Sequence, residues 1–221
     1  MVSREAPVKI RLLVAAIMML GFSSCSSIYY GTMERLGKHK RHIMIDRVKA
    51  TREAQADAKG QFLAALEQVT GIVAAPEAEM EKRHGHLDAA LGRCESKAGA
   101  LRGRISSLED VARALFREWR SEIEDFNSDA LRAASQQKYD MTLAKYSELV
   151  EAMEEAESKL EPALIPLRDQ VLFMKHNLNA KAFAGLNEEQ ANIQTRVDLL
   201  AGALEAAISA ADKFLAAFQA E

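Results

Sequence analysis

Between Leu87 and Trp119 the chain sets Leu87, Leu91, Cys94, Ala98, Leu101, Ile105, Leu108, Ala112, Leu115 and Trp119 at spacings that alternate between four and three. Each step of that rhythm returns to the same stripe of an α-helix, whereas a strand would change face at every residue. Ten positions without a break require a long helix with one apolar seam, and such a seam is covered by another helix packing along it. The feature therefore excludes a sheet-based core for this stretch.

The rest of the chain repeats the pattern. Val48, Thr51, Gln55, Ala58, Phe62, Ala65, Val69 and Ile72 form a seam with one amide, Gln55, among its members. It predicts a first helix over 32–74, stopped by Pro76, because the residue before a proline is pushed out of helical geometry. The second helix is expected over 77–126. Asn127, Ser128 and Asp129 then supply capping side chains for a third. Its seam is Tyr139, Thr142, Tyr146, Leu149, Met153, Ala156 and Leu160, resuming after Pro162 at Leu164, Leu167, Val171, Met174 and Leu178. Pro162 and Pro166 each remove a backbone donor, so a kinked or broken helix that keeps nearly the same direction is expected up to Gly185. Asn187, with Gln190 three residues on, is placed to cap a fourth helix carrying Ile193, Val197, Leu200, Leu204, Ala207, Ala211, Phe214 and Phe218 on one face.

Only 6% of the residues are aromatic, and Ala, Glu, Leu, Lys and Arg dominate, as in long helices. With short connections between neighbours, the expected fold is all-α: an elongated antiparallel helical bundle of three to four long helices with coiled-coil-like packing. At 1.5 Å per residue it would measure about 65 to 80 Å.

The first 31 residues have a different character. Arg4, Lys9 and Arg11 precede the apolar run Leu12 to Leu20, which leads to Gly21-Phe22-Ser23-Ser24-Cys25. Charge, apolar run and small residues in that order describe a secretory signal, and the run is too short to span a bilayer as a folded helix. The residues ahead of Cys25 resemble the bacterial lipobox, with Phe22 where an aliphatic residue is usual. That resemblance implies a signal peptide over 1–24, diacylglycerol on the Cys25 thiol, and a lipidated cysteine with a short linker over 25–31. The bundle domain then occupies 32–221. An ordinary cleaved signal that leaves Cys25 as a thiol or disulfide partner is the alternative. Ser26 lacks the negative charge that resembles an inner-membrane retention signal, so the expected location is the outer membrane, facing the periplasm.

Removing residues 1–24 takes away three basic residues and one acidic residue, moving the formal charge from -3 to -5. An acidic chain argues against nucleic acid as a partner. Against that trend Lys38, His39, Lys40, Arg41 and His42 form a basic run close to Cys25. Lys38, Lys40 and Arg41 are candidates for contact with anionic headgroups, beside the plainer reading of a solvated helix face. Tyr29 and Tyr30 suit either the headgroup level or the end of the bundle. With Cys25 acylated, Cys94 has no intramolecular partner, and its place in the seam reads as a small buried residue.

The stretch Asp169-Gln170-Val171-Leu172-Phe173-Met174-Lys175-His176-Asn177-Leu178-Asn179-Ala180 resembles the signature of a bacterial family catalogued as domain of unknown function 2959. Gly37-Lys38-His39-Lys40-Arg41, Leu115-Phe116-Arg117-Glu118-Trp119 and Leu131-Arg132-Ala133-Ala134-Ser135 share the resemblance. It covers nearly all of the mature chain and implies a helical envelope lipoprotein. The family has no established activity to carry over.

Within the signature, Asp169, Gln170, His176 and Asn177 form a polar cluster, with Asp169 and His176 two turns apart on one face. Such a cluster either fixes helix register through a buried or half-buried network or binds a ligand or partner. The network is the ordinary reading, because the cluster itself contains no Glu-x-x-His pair of the di-metal bundles and no metal or cofactor is expected. His84 and His86, two apart, do not share a helix face and suggest a solvated turn at Gly85. Pairs such as Glu188-Glu189 read as solvent-facing charges, and no phosphate loop, nucleophile elbow or Cys-x-x-Cys is found.

Opposite the seam of the second helix lie Gly92, Gly99 and Gly103, each costing nearly 1 kcal/mol of helix stability relative to alanine. They form a candidate packing face for another helix, of this chain or of a partner, unless they are merely tolerated on a wet surface. The function expected from these features is non-catalytic: a lipid-anchored helical protein that binds the membrane through its anchor and acts by interaction, with an envelope protein or as a homo-oligomer. The alternative is a ligand- or metal-binding bundle centred near Asp169 and His176.

Overall fold

A computed structural model describes residues 40–72, 76–178 and 187–219. The chain divides into two compact units, Met1–Ile43 and Met44–Glu221. Of the first, residues 40–43 are described, and they are helical. Cys25, the signal segment, Tyr29, Tyr30 and Lys38 lie outside the described residues.

The second unit is all-α. Its described helices are α1 (Lys40–Thr70, whose first turn belongs to the first unit), α2 (Met80–Asp125), α3 (Asp129–His176) and α4 (Asn187–Gln219). A 3-10 turn, Glu77–Glu79, precedes α2. Pro76 is extended at φ -60, ψ 145, and its carbonyl accepts from the Glu79 amide at 2.9 Å, so the chain changes direction before α2 begins. At the other end of α2, Phe126 returns to extended geometry. The Ser128 side chain then accepts from the Leu131 amide at 3.4 Å and caps α3. Arg132 reinforces the corner by donating to the Phe126 carbonyl at 2.6 Å and to Asp129 at 2.9 Å.

Every member of the expected α1 seam is buried, Gln55 included, and so is every member of the α4 seam. In α2, Leu87 through Leu115 are buried and Trp119 is half-buried. Its indole N–H donates to Ser135 at 3.0 Å, and its ring meets Tyr139 edge-on at 5.7 Å between centroids. Phe116 packs on Tyr139 and Tyr146 in the same α2–α3 contact.

Polar bonds between helices fix direction and register. From α1 to α2, Thr51 reaches the Arg104 carbonyl at 3.4 Å, Asp57 pairs with Lys97 at 2.6 Å, and Gln61 accepts from Arg93 at 3.1 Å. Residue numbers rise on one helix as they fall on the other, so the two are antiparallel. Arg52 with Asp212 and Lys59 with Glu205 make α4 antiparallel to α1. Arg168 joins Glu95 at 2.7 Å and Glu161 at 2.5 Å, while Arg102 faces Glu161 at 3.4 Å and Glu157 at 3.9 Å. That chain of charges holds α2 against α3, and α3 in turn packs on α4. Each helix is thus antiparallel to its two neighbours, in an up-down-up-down four-helix bundle.

The structure decides between continuation and a break at the prolines, and it departs from the sequence expectation in two further places. Helix α3 runs unbroken through Pro162 and Pro166, with Leu160, Ala163, Leu164 and Leu167 buried on both sides of the prolines. Continuous core packing offsets the two deleted hydrogen bonds. The same helix ends at His176 and not near Gly185. Asn177 stops it, its backbone amide bonded to the Met174 carbonyl at 3.2 Å and its side-chain amide to the Phe173 carbonyl at 3.0 Å. Leu178 consequently leaves the seam and is exposed. Finally, His84, Gly85 and His86 lie inside α2, close to its start, and not in a turn.

Candidate functional site

The buried stripe of α3 passes through Leu167, Gln170, Val171 and Met174, so Gln170 is carried into the bundle by its apolar neighbours. It is only 4% exposed, and its Nε2 has no hydrogen-bond partner. One turn to either side on this helix, Pro166 and Phe173 flank it. The antiparallel α4 brings Glu189, Asn192 and Ile193 opposite. Together with Asp169 these side chains line a cavity of about 280 Å³. Ile193 and Phe173 make its walls apolar, while Asp169 and Glu189 stand exposed at its rim without an ion-pair partner among the described residues.

The structure therefore brings Asp169 and Gln170 into one site and leaves His176 and Asn177 out of it. His176 is exposed on the last turn of α3, and Asn177 serves as the helix stop described above. Glu189, Asn192 and Phe173 were not singled out by the sequence. Glu189 reads as a surface charge until the register of α3 against α4 is known, which no local pattern supplies.

Among the described residues no group of three or more His, Cys, Asp or Glu side chains is placed to hold a metal ion. His84 is half-buried with its Nε2 unpartnered, and His86 is exposed. A second cavity, about 320 Å³, lies between the same two helices and is lined by Lys145, Glu148, Ala206, Ala210, Lys213 and Phe214. Its charges are mixed and partly exposed.

Cys94 is fully buried, and its thiol donates to the Gln61 carbonyl at 3.3 Å. Burial pushes its pKa up to about 11, so it stays protonated at neutral pH and is not a nucleophile. The glycine face of α2 is open: a Cβ built on Gly92, Gly99 or Gly103 would meet nothing within 4 Å. No other described helix of this chain approaches it. Lys40 and Arg41 are half-buried at the start of α1, and both have interaction partners. No described helix is long and apolar enough to cross a membrane.

No curated protein and no solved structure matches the chain. A family model described as "Protein of unknown function (DUF2959)" matches residues 29–218, and the chain belongs to that family.

Proposed function

We propose that this protein is a lipid-anchored, non-catalytic helical bundle of the bacterial envelope that acts by binding other envelope components. The observation that carries the reading is the order basic residues, apolar run, small residues and Cys25 at the start of the chain. Cys94, the other cysteine, is sequestered and protonated, which leaves thiol acylation to Cys25. A basic run at Lys38, Lys40 and Arg41 follows the anchor closely and adds attraction to anionic headgroups, about 1 kcal/mol for each charge that reaches the surface. Ser26 directs the anchored protein to the outer membrane, facing the periplasm. The charged side chains along the helices support a structural role, since Arg52, Lys59, Lys97, Arg102 and Arg168 are all engaged in pairs that set register.

Fractionation of cells carrying the wild-type protein or Cys25→Ala tests this reading. The wild type should follow the outer membrane, and the variant should remain unprocessed or be released. Crosslinking in intact cells should then capture either a second copy or an envelope protein. Equal distribution of the two forms between fractions would contradict the proposal. A second reading, a ligand-binding bundle, is favoured by the cavity over Gln170, whose buried amide nitrogen is unpartnered.

A further inference from the structure

We infer that the outward surface shared by α2 and α3 is a self-association face, seated against the same surface of a second copy of this chain. The inference deepens the proposed role by interaction, on which it rests, and names the partner. Two ion pairs set the levels: Glu95 with Arg168 at 2.7 Å and Arg102 with Glu161 at 3.4 Å. Gly92 and Gly99 come three residues before the α2 members of those pairs, and Leu172 and Ile165 four residues after the α3 members. Because the helices are antiparallel, both steps lead the same way along the bundle and one position outward, so Gly92 lies level with Leu172 and Gly99 with Ile165. The glycines leave open backbone, with nothing within 4 Å of a built Cβ, whereas Leu172 and Ile165 are 57% and 50% exposed. Exposed apolar side chains on one helix, level with positions that lack a side chain on the next, make knobs and holes at matched heights.

A two-fold axis parallel to the helices turns α3 of one copy onto α2 of the other without changing level. Leu172 of the second copy then sits over Gly92 and its Ile165 over Gly99, and the contact is reciprocated. The charges fit the same symmetry. Along α2 stand Asp88, Glu95 and Arg102, and at the same levels along α3 stand Lys175, Arg168 and Glu161, so each of the three meets a side chain of opposite sign from the second copy. Asp88 and Lys175, one heptad beyond Glu95 and Arg168, are exposed and have no ion-pair partner among the described residues. The axis also leaves α1 running the same way in both copies, as two chains anchored in one membrane require. From Asp88 to Ser106 the face is about 27 Å long and two helices are about 20 Å wide, so it covers on the order of 500 Å² per copy. That is the low end for a specific interface, and the dimer should dissociate in the micromolar range.

The test uses the full chain, extracted from membranes, in sedimentation equilibrium with density-matched detergent. A reversible dimer is expected at about 100 μM, and Ile165→Gln with Leu172→Gln should weaken it about 10-fold or more. Both side chains are exposed, so the unfolding temperature should stay the same. Gly99→Leu fills a hole and should weaken association to a similar degree in a chain that still folds. Register is read by oxidation: Gly92→Cys with Leu172→Cys should yield a disulfide-linked dimer, while Gly92→Cys with Ile165→Cys, set about 10 Å apart in level, should not. A wild type that stays monomeric, or a dimer indifferent to both sets of substitutions, would overturn the inference. So would crosslinking of Leu172→Cys in intact cells to a different protein alone, which assigns the surface to another envelope component and leaves the interaction role standing. Release of the chain from the membrane fraction with the dimer intact would instead count against the anchored role and not against the dimer.

Discussion

Gln55 lies within the α1 seam at 0% exposure, and neither its Nε2 nor its Oε1 has a partner. Its place in the seam was legible from spacing alone, because the apolar residues on either side of it dictate which face is buried. Its lack of partners was not, since that depends on what the neighbouring helices present at the same level. An unsatisfied buried amide costs about 1 to 3 kcal/mol, so Gln55→Met, which keeps length and removes the polar atoms, should raise stability by that order. A lower unfolding midpoint in urea would show that the amide is satisfied in solution. Cys94 and Tyr146 make a prediction for alkaline pH. Burial is the largest cause of both shifts, raising Cys94 from 9.0 to about 11 and Tyr146 from 10.0 to about 12. Between those limits the unfolded chain loses protons that the folded one retains. The stabilisation is therefore complete below pH 9 and lost as pH rises from 9 to 12. Unfolding free energy measured across that range should fall, and Cys94→Ala with Tyr146→Phe should flatten the slope.

At the scale of helices, the seams of α1, α2 and α4 were readable because a 4-3 spacing leaves one face to bury, and burial follows it almost residue for residue. The end of α3 was not readable. Leu178 continues the rhythm, yet Asn177 turns its side chain back onto the Phe173 carbonyl and ends the helix, a local competition that periodicity ignores. At Pro162 and Pro166 the helix continues without a break, as the seam resuming at Leu164 had indicated, since the cost of the prolines is set against core contacts on both sides. The cavity depended on register. Arg168, held by Glu95 and Glu161, and the pairs of α4 with α1 fix the helices that bring Glu189 opposite Gln170. The carboxyl of Glu161 is accordingly held below the usual range, first by its bond to Arg168. The glycine face allows a sharp test, because among the described residues nothing lies within 4 Å of a Cβ built there. Gly99→Ala should stabilise α2 by about 0.8 to 1 kcal/mol if the face is merely solvated. Loss of stability, or of an associated species in sedimentation, would instead reveal a partner helix seated there.

At the largest scale, four antiparallel helices among the described residues form a bundle with paired charges at its borders, and the family model matches residues 29–218. The proposed role in the envelope depends on the proposed acylation of Cys25. Intact mass and N-terminal peptide mass of the full-length gene product, extracted from membranes with detergent, test it most directly. The account predicts a mature chain that begins at Cys25 and carries the added mass of a diacylglycerol thioether. A product recovered without detergent, with an unmodified Cys25 or a different N-terminus, would contradict it.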